Sequence, residues 1–411
     1  MTKPVGRCRI CGFSDLSLVV DLGRQAFTGI FPGPNDPAVE SVPLRLVWCP
    51  ECTLLQLGED YDLSIMYGEN YGYRSGLNPS MVAHLRNKAH KLTSFVASDK
   101  ASILDIGSND GTLLSFFQDG SSRLIGVDPS AAKFQRYYPR GVELYTEFFG
   151  QDFLACRDLR NQLDLITSVS MFYDLPDPAS FVKSIASCLT ETGIWHLEQS
   201  YLPLMLETNS FDTICHEHLE YYSLKVIEDL LMKNGLEIFD VELNRVNGGS
   251  IGITCGRSGV HQKNNAEVLD WLRKSEMILE LSTIAPYREF AKRAEKMRTQ
   301  LSDLVDSIRR SGKNVSGFGA STKGNVTLQY AGLDSTKIDV IYEVNQDKFG
   351  RSTPGTMIPI VSEDRLLSDQ PDYLLILPWH FRDHVIRSCD EYLSRGGALI
   401  FPMPFLEIFT R

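Results

Sequence analysis

Two C-x-x-C pairs, Cys8-Arg-Ile-Cys11 and Cys49-Pro-Glu-Cys52, lie near the N-terminus. Four thiolates at that spacing can surround a tetrahedral zinc ion. A redox dithiol would need one pair beside a βαβ unit, and a catalytic zinc would keep an open position. Two knuckles point to a closed structural zinc, with Cys8, Cys11, Cys49 and Cys52 as ligands. A second stretch, Ser102-Ile-Leu-Asp-Ile-Gly-Ser-Asn-Asp-Gly-Thr-Leu-Leu114, leaves an apolar run at Asp105 and turns at Gly107 and Gly111. Strand, glycine turn and helix bring a backbone close to a nucleotide. About twenty residues on, Leu124-Ile-Gly-Val-Asp128 ends in an acid able to take both ribose hydroxyls. The dinucleotide fingerprint needs another glycine between Gly107 and Gly111, and none is there. Asp110 would also repel a pyrophosphate. A sulfonium cofactor is cationic and tolerates acids, so the turn favours S-adenosylmethionine over a plain strand–turn–helix.

The third stretch is Phe211-Asp-Thr-Ile-Cys-His-Glu-His-Leu-Glu-Tyr-Tyr-Ser223. Histidine is the side chain best able to take a proton near neutral pH. A neighbouring carboxylate can orient it and raise its basicity. His216, Glu217 and His218 are therefore candidates for acid–base work. H-x-H also suits a metal, but no matching distant ligand set is evident. The fourth is a tyrosine-rich segment, Glu59 to Ser75, with Tyr61, Tyr67, Tyr71 and Tyr73. It reads either as packing or as a loop facing a substrate.

The elements that must position these groups alternate. A helix over Pro79 to Phe95 should precede strands at Ser102–Ile106, Leu124–Val127, Val142–Tyr145 and Leu163–Val169. Ile194–Glu198, Leu236–Glu242 and Ser250–Cys255 continue the series. Alternation with helices implies a parallel sheet covered on both faces. Ligands in such sheets lie at the carboxyl ends of the strands. That places Asp105, Gly107, Ser108, Asn109, Gly111, Asp128, Pro129 and Ser170 in the cofactor site. Phe148 and Phe149 either stack on adenine or pack in the core.

From Gln262 to Arg310 the pattern is helical and should bridge two domains. A further α/β set follows, with strands at Val315–Gly317, Ile338–Tyr342, Tyr373–Leu377 and Ala398–Phe401. Gly317, Gly319, Ser321, Thr322 and Lys323 offer backbone N–H groups, hydroxyls and an ammonium at a helix start, which suits a pyrophosphate. Glu343 could hold a ribose hydroxyl, and Lys348 or Arg351 a phosphate. Asn325 and His380 complete the candidate substrate-binding set. No second catalytic constellation marks this half as a dehydrogenase.

At 411 residues the chain should form about three domains, read as 1–75, 76–260 and 261–411. The hydrophobic share of 43% and charged share of 23% are ordinary for a soluble globular protein. A net charge of −11 argues against a nucleic-acid partner and against an anionic membrane surface. No apolar run reaches the roughly 18 residues of a membrane span. The first residues lack the apolar stretch of a signal peptide. A cytoplasmic, reducing location follows, in which the nine cysteines form no disulfide framework. The oligomeric state is left open.

The knuckles, Tyr71-Gly-Tyr-Arg-Ser, Ile106-Gly-Ser-Asn-Asp-Gly111 and His216-Glu-His-Leu-Glu-Tyr-Tyr-Ser223 together resemble the sugar C-methyltransferase family. Gly317-Phe-Gly-Ala-Ser-Thr-Lys-Gly-Asn325 and Tyr342-Glu-Val-Asn-Gln-Asp-Lys-Phe-Gly350 extend the resemblance over nearly the whole chain. The resemblance implies three parts: a zinc-binding domain, a class I methyltransferase Rossmann-like domain and a C-terminal Rossmann-like α/β domain. It implies S-adenosylmethionine and zinc as cofactors and a nucleotide-linked 4-keto-6-deoxysugar as substrate. His218 would be the base, Glu217 its neighbour, and a tyrosine of the Tyr71–Tyr73 loop would lie near the sugar. Tyr71, Tyr73 and His216 are then candidates to hydrogen-bond an enolate oxygen. The chain departs from its relatives in two places. Cys215 stands where they often carry tyrosine, and Asp174-Leu-Pro176 where they carry His-Ile-Pro or similar. Two other readings remain: methylation of a sugar hydroxyl, and a non-catalytic zinc-containing nucleotide-binding protein.

Overall fold

The computed structural model describes residues 3–61, 73–96, 100–118 and 122–411. Tyr67 and Tyr71 lie outside the described residues. Between the two cysteine pairs run β1 (Ser17–Ala26) and β2 (Ser41–Trp48), and β3 (Leu55–Leu57) follows the second pair. These form the β-rich insert expected between the knuckles. Strict alternation in β2 buries Val42, Leu44, Leu46 and Trp48 on one face. The sheet has a fourth strand from far along the chain, Glu220–Tyr221, antiparallel to β3 with Glu220 opposite Gln56 and Tyr221 opposite Leu55. The first folding unit is therefore completed by the second.

The central sheet contains β4 (Ser102–Ile106), β5 (Arg123–Val127), β6 (Glu143–Tyr145), β7 (Leu163–Val169), β8 (Leu189–Ser200), β9 (Leu236–Asn244) and β10 (Ser250–Arg257). Their order is β9-β10-β8-β7-β4-β5-β6. The expectation of a wholly parallel sheet is corrected at one strand. β10 runs antiparallel to both β8 and β9. A hairpin-like return joins β9 to β10 with no helix between, so no right-handed crossover can keep β10 parallel. Helix α1 (Pro79–Thr93) starts at an Asn78 cap, whose side chain accepts from Ser80 N–H (3.0 Å) with proline at the first turn. It buries Leu85, Ala89 and Leu92 against this sheet.

The helical stretch after β10 is two helices, α2 (Ala266–Ile278) and α3 (Ala285–Arg310). The third sheet has six strands where four were expected. β11 (Val315–Phe318), β12 (Ile341–Glu343), β13 (Ile360–Ser362), β14 (Tyr373–Ile376) and β15 (Ala398–Phe401) are parallel, and β16 (Glu407–Phe409) closes one edge antiparallel. The short β13 and β16 carry no apolar run long enough to be seen in sequence. Among the described residues no helix is long and apolar enough to cross a membrane.

Helix α4 (Thr322–Tyr330) joins the units. Its Gln329 amide pairs with the Ala26 backbone, accepting from N–H (2.7 Å) and donating to C=O (3.2 Å). Asn325 Nδ2 donates to Thr28 C=O (2.7 Å), and Trp379 Nε1 donates to Asp212 Oδ2 (2.8 Å) in the central domain. One apolar core runs through the first and third sheets, including Leu44, Trp48, Phe211, Tyr287, Ile376 and Trp379. Ser321 caps α4 by accepting from Gly324 N–H (3.0 Å). Ser321→Ala should lower stability by about 1 kcal/mol in denaturant titration. A substrate-binding role would instead show as a raised KM with unchanged stability.

Candidate active site and zinc centre

The strand ends open onto one cavity of ≈ 760 Å³. It is walled by all three folding units: Tyr61 and Tyr73, the β4 and β5 ends, the Cys215–His218 turn, and Thr322 with Lys323. Ser108, Asn109, Pro129, Phe148, Phe149 and Ser170 line it as expected from sequence. Gly107 lies in it with φ +74, and a Cβ there would come within 3.2 Å of Met171. Gly111 lies behind the wall. It has φ +75, and its absent side chain leaves room for the Tyr138 ring, 2.8 Å from a built Cβ.

Asp128 is held by three donors. Oδ2 accepts from Asn109 N–H (2.8 Å), and Oδ1 accepts from the N–H and hydroxyl of Ser130 (both 2.6 Å). A carboxylate oxygen can accept more than one hydrogen bond, so Oδ2 stays available to a ribose hydroxyl. Asp105 accepts from Thr167 Oγ1 (2.7 Å). Burial, with the Asp128 charge nearby, pushes its carboxyl up to about 7. Asp110, excluded from the cavity lining, fixes the lip of the site. It accepts from Arg74 Nε (3.2 Å) and Gly76 N–H (3.0 Å), while Asn109 bonds the backbone of Tyr73 and Ser75. Phe148 stays exposed to the cavity, whereas Phe149 packs on Phe153 and Phe181.

The His-Glu-His run is a tight turn closed by His218 N–H to Cys215 C=O (3.1 Å). Glu217 and His218 face the cavity. His218 Nδ1 is 3.0 Å from Thr213 C=O, and a carbonyl only accepts, so Nδ1 carries the proton. Nε2 is left as the basic nitrogen. Burial, and then the Lys323 charge, hold this ring neutral with its pKa near about 3. The expected Glu217–His218 pairing is absent among the described residues. Glu217 instead accepts from Thr28 Oγ1 (3.4 Å), and burial raises its pKa. His216 points away from the cavity. Its ring lies 5.0 Å from those of both Phe27 and Tyr61, in the core beneath the first sheet. The turn reverses direction between His216 and His218, so the two histidines cannot share a face. Tyr73 lines the cavity mouth and is exposed.

The third-domain residues divide. Lys323 enters the cavity wall and donates to Asn247 C=O (2.8 Å). Glu343 spends both oxygens on backbone N–H groups of Ala320, Val344 and Asn345 (2.8, 2.8 and 2.9 Å). Lys348 donates to Ala320 C=O (2.7 Å), and Arg351 to Phe31 and Asp347 C=O (2.9 and 3.0 Å). His380 is half-buried beside Trp379 and Phe381, outside the cavity lining. These groups hold turns together. The residues that sequence reasoning missed are Thr213 and Asp212. A backbone carbonyl has no identity to read, and Asp212 gains meaning only when Trp379 docks on it.

The four cysteine sulfurs all lie within 4.8 Å of one another, with Cys8–Cys52 at 3.4 Å and Cys11–Cys49 at 3.5 Å. Zinc–sulfur bonds of about 2.3 Å put tetrahedral sulfurs about 3.8 Å apart, so the set fits a closed S₄ site. Each knuckle is a matching turn, with Gly12 N–H to Cys8 C=O and Thr53 N–H to Cys49 C=O, both 2.9 Å. A second group of metal-ligating types, His196, Glu198 and Glu242, surrounds the Lys88 ammonium at 3.1, 2.7 and 2.6 Å. The lysine takes the place a cation would have.

Two outcomes are expected. Purified, unchelated protein should carry one zinc per chain by metal analysis, and Cys8→Ser should lower the melting temperature more than it weakens cofactor binding. Cofactor affinity should rise as pH passes through about 7, because the Asp105 carboxyl ionises there and the cofactor is a cation. Calorimetry across that range should show the rise in the wild type and a flat, weaker response in Asp105→Asn.

Three family models match in the order of the folding units. Residues 8–67 match a zinc binding domain, residues 81–241 a methyltransferase domain, and residues 245–404 a C-methyltransferase C-terminal domain. The chain is 31% identical to C-methyltransferase NovU of Streptomyces niveus, over 98% of this chain and 97% of that protein. Among solved structures, a SAM dependent methyltransferase from Aquifex aeolicus is 16% identical, with 43% of this chain and 97% of that one covered at a TM-score of 0.33. One from Mesorhizobium loti is 13% identical, with 42% and 100% covered at a TM-score of 0.35. The full-length match and the three domain models together place the chain in the zinc-containing, S-adenosylmethionine-dependent C-methyltransferase family.

Proposed function

We propose that the chain methylates the carbon beside the ketone of a nucleotide-linked 4-keto-6-deoxysugar. The observation that supports this best is the setting of His218. Its tautomer is set by Thr213 C=O, and it shares one cavity with the Gly107 turn and Asp128. Nε2 removes the proton from the carbon next to the ketone, and that bond's electron pair forms an enolate. S-adenosylmethionine, when bound, would supply the electrophilic methyl group that the enolate carbon takes, the carbon–sulfur electron pair remaining on sulfur. The proton rests on Nε2 until it passes to solvent. Asp128 would hold the cofactor's ribose and Phe148 its adenine, and the Asp105 carboxylate would favour its cationic charge. Glu217 acts across the cavity beside the base. Tyr73 closes the mouth near the sugar.

His218→Ala should cut kcat roughly a hundredfold to ten-thousandfold, with both ligands still bound, because proton removal occurs only in the transition state. Glu217→Ala should lose less. The assay is a panel of UDP-, GDP- and TDP-linked 4-keto-6-deoxyhexoses read by mass spectrometry. Deuterium entering the carbon next to the ketone, with an inert cofactor analogue bound, separates C- from O-methylation. Normal turnover in His218→Ala, with loss in Tyr73→Phe, would move the base elsewhere.

A further inference from the structure

The reaction above creates a negative oxygen inside the cavity, and Lys323 is a half-buried cation in its wall. Its Nζ spends one of three N–H donors on Asn247 C=O (2.8 Å). Among the described residues no carboxylate lies within 4.0 Å of it. The nearby acid is Asp212, whose Oδ2 already accepts from Trp379 Nε1 (2.8 Å). A partly desolvated ammonium without a contacting counter-ion is disfavoured in the resting protein. That cost is recovered when an anion forms beside it. Other donors in the wall are poorer. Cys215 is a buried thiol that stays protonated and donates weakly. Tyr61 already donates to Pro43 C=O (2.6 Å).

We infer that Lys323 is a catalytic residue that holds the enolate oxygen through Nζ, and not a hook for the substrate's pyrophosphate. The inference rests on the ketone reading above. It follows from a mismatch that His218 alone cannot resolve. Removal of a carbon-bound proton leaves negative charge on the ketone oxygen, and the His218 ring, which takes only the proton, does not match that charge. Preorganised donors aimed at developing charge in a water-poor site do this without reorganising. The β11–α4 turn is rigid enough for the task. Glu343 and Lys348 clamp Ala320, and Ser321 caps the helix on which Lys323 stands. The charged and titratable groups facing Lys323 are Asp212 and Cys215 on the stretch before the turn, His218 at its end and His380 from the third domain.

The test uses the full chain with S-adenosylhomocysteine bound, in D₂O, with UDP-, GDP- and TDP-linked 4-keto-6-deoxyhexoses. Deuterium wash-in at saturation is expected to fall about a hundredfold to a thousandfold in Lys323→Met. Lys323→Arg should keep most of it, and the substrate Kd should stay within about threefold in both. Loss of the cation should also move the acidic limb of the pH profile upward, because Lys323 depresses the basicity of His218. Tyr173 and Thr213 face the same ring and are unchanged in these variants. Unchanged wash-in with a weakened Kd in Lys323→Met would overturn the inference and restore the pyrophosphate role. Equal loss in Lys323→Arg and Lys323→Met, with cofactor affinity intact, would also overturn it. No wash-in by the wild type would instead remove the ketone reading itself, and this inference with it.

Discussion

The site depends on one strand pairing. Glu220–Tyr221 adds to the edge of β3, and Leu57 N–H donates to Leu219 C=O (2.8 Å) just before it. Leu219 N–H in turn donates to Tyr173 C=O (2.7 Å), at the end of the loop after β7. The catalytic turn is therefore suspended between the zinc domain and the cofactor domain. Its few internal hydrogen bonds could not hold His218 in place. β3 is itself short, and what fixes its start is the second zinc knuckle, through Cys49 N–H to Leu54 C=O (2.9 Å). Arg9, inside the first knuckle, donates to Leu57 C=O (2.8 Å) and faces Glu220 at 3.6 Å with both side chains buried. The knuckles are thus linked to the Cys215–His218 turn through backbone register. This explains why a closed site, with no open position, belongs in this enzyme.

The second constraint is electrostatic. Asp105, Asp128, Glu217, His218 and Lys323 meet around one cavity in which each is at least partly withdrawn from bulk water. In such surroundings each charge must be matched by a ligand or by hydrogen bonds. Asp128 is matched by backbone donors. Asp105 is matched less well, and its raised pKa shows the deficit. A cationic cofactor relieves that deficit, while the cation on the opposite wall suits an anionic intermediate. The cavity is negative at the strand ends and positive at α4. That polarity suits the proposed transfer from a sulfonium to an enolate.

Much of this was legible in the chain. The strand at Ser102–Ile106, the turn and the acid of Asp128 follow local rules of periodicity and turn chemistry, and they occur where those rules put them. The four cysteines were legible because thiolates at knuckle spacing have few other uses. The antiparallel β10 was not, since an apolar strand reads alike in either direction. Nor was the division of labour between His216 and His218. Adjacent polar residues look equivalent in sequence, and only the turn at Cys215–His218 separates a cavity face from a core face. Tyr71 lies outside the described residues, so its expected place near the sugar has no structural counterpart.

The third domain shows why a motif can mislead about its own role. Gly317 to Asn325, with Glu343 beyond the next strand, has the composition of a phosphate-binding turn with a ribose acid. Glu343 bonds three backbone N–H groups, and Ser321 bonds the helix start. The groups that would have greeted a nucleotide are used to stiffen the turn. A stiff turn is worth building only if something on it must be placed accurately, and the one cation that reaches the shared cavity from it is Lys323. Asn325 and Gln329, on the same helix, bind the first domain at Thr28 and Ala26. The helix therefore locks the zinc domain to the third domain with one set of side chains and points a charge at the second with another. Its position is set by the same first sheet that carries the Cys215–His218 turn, so the proposed base and the proposed cation are registered to a common frame.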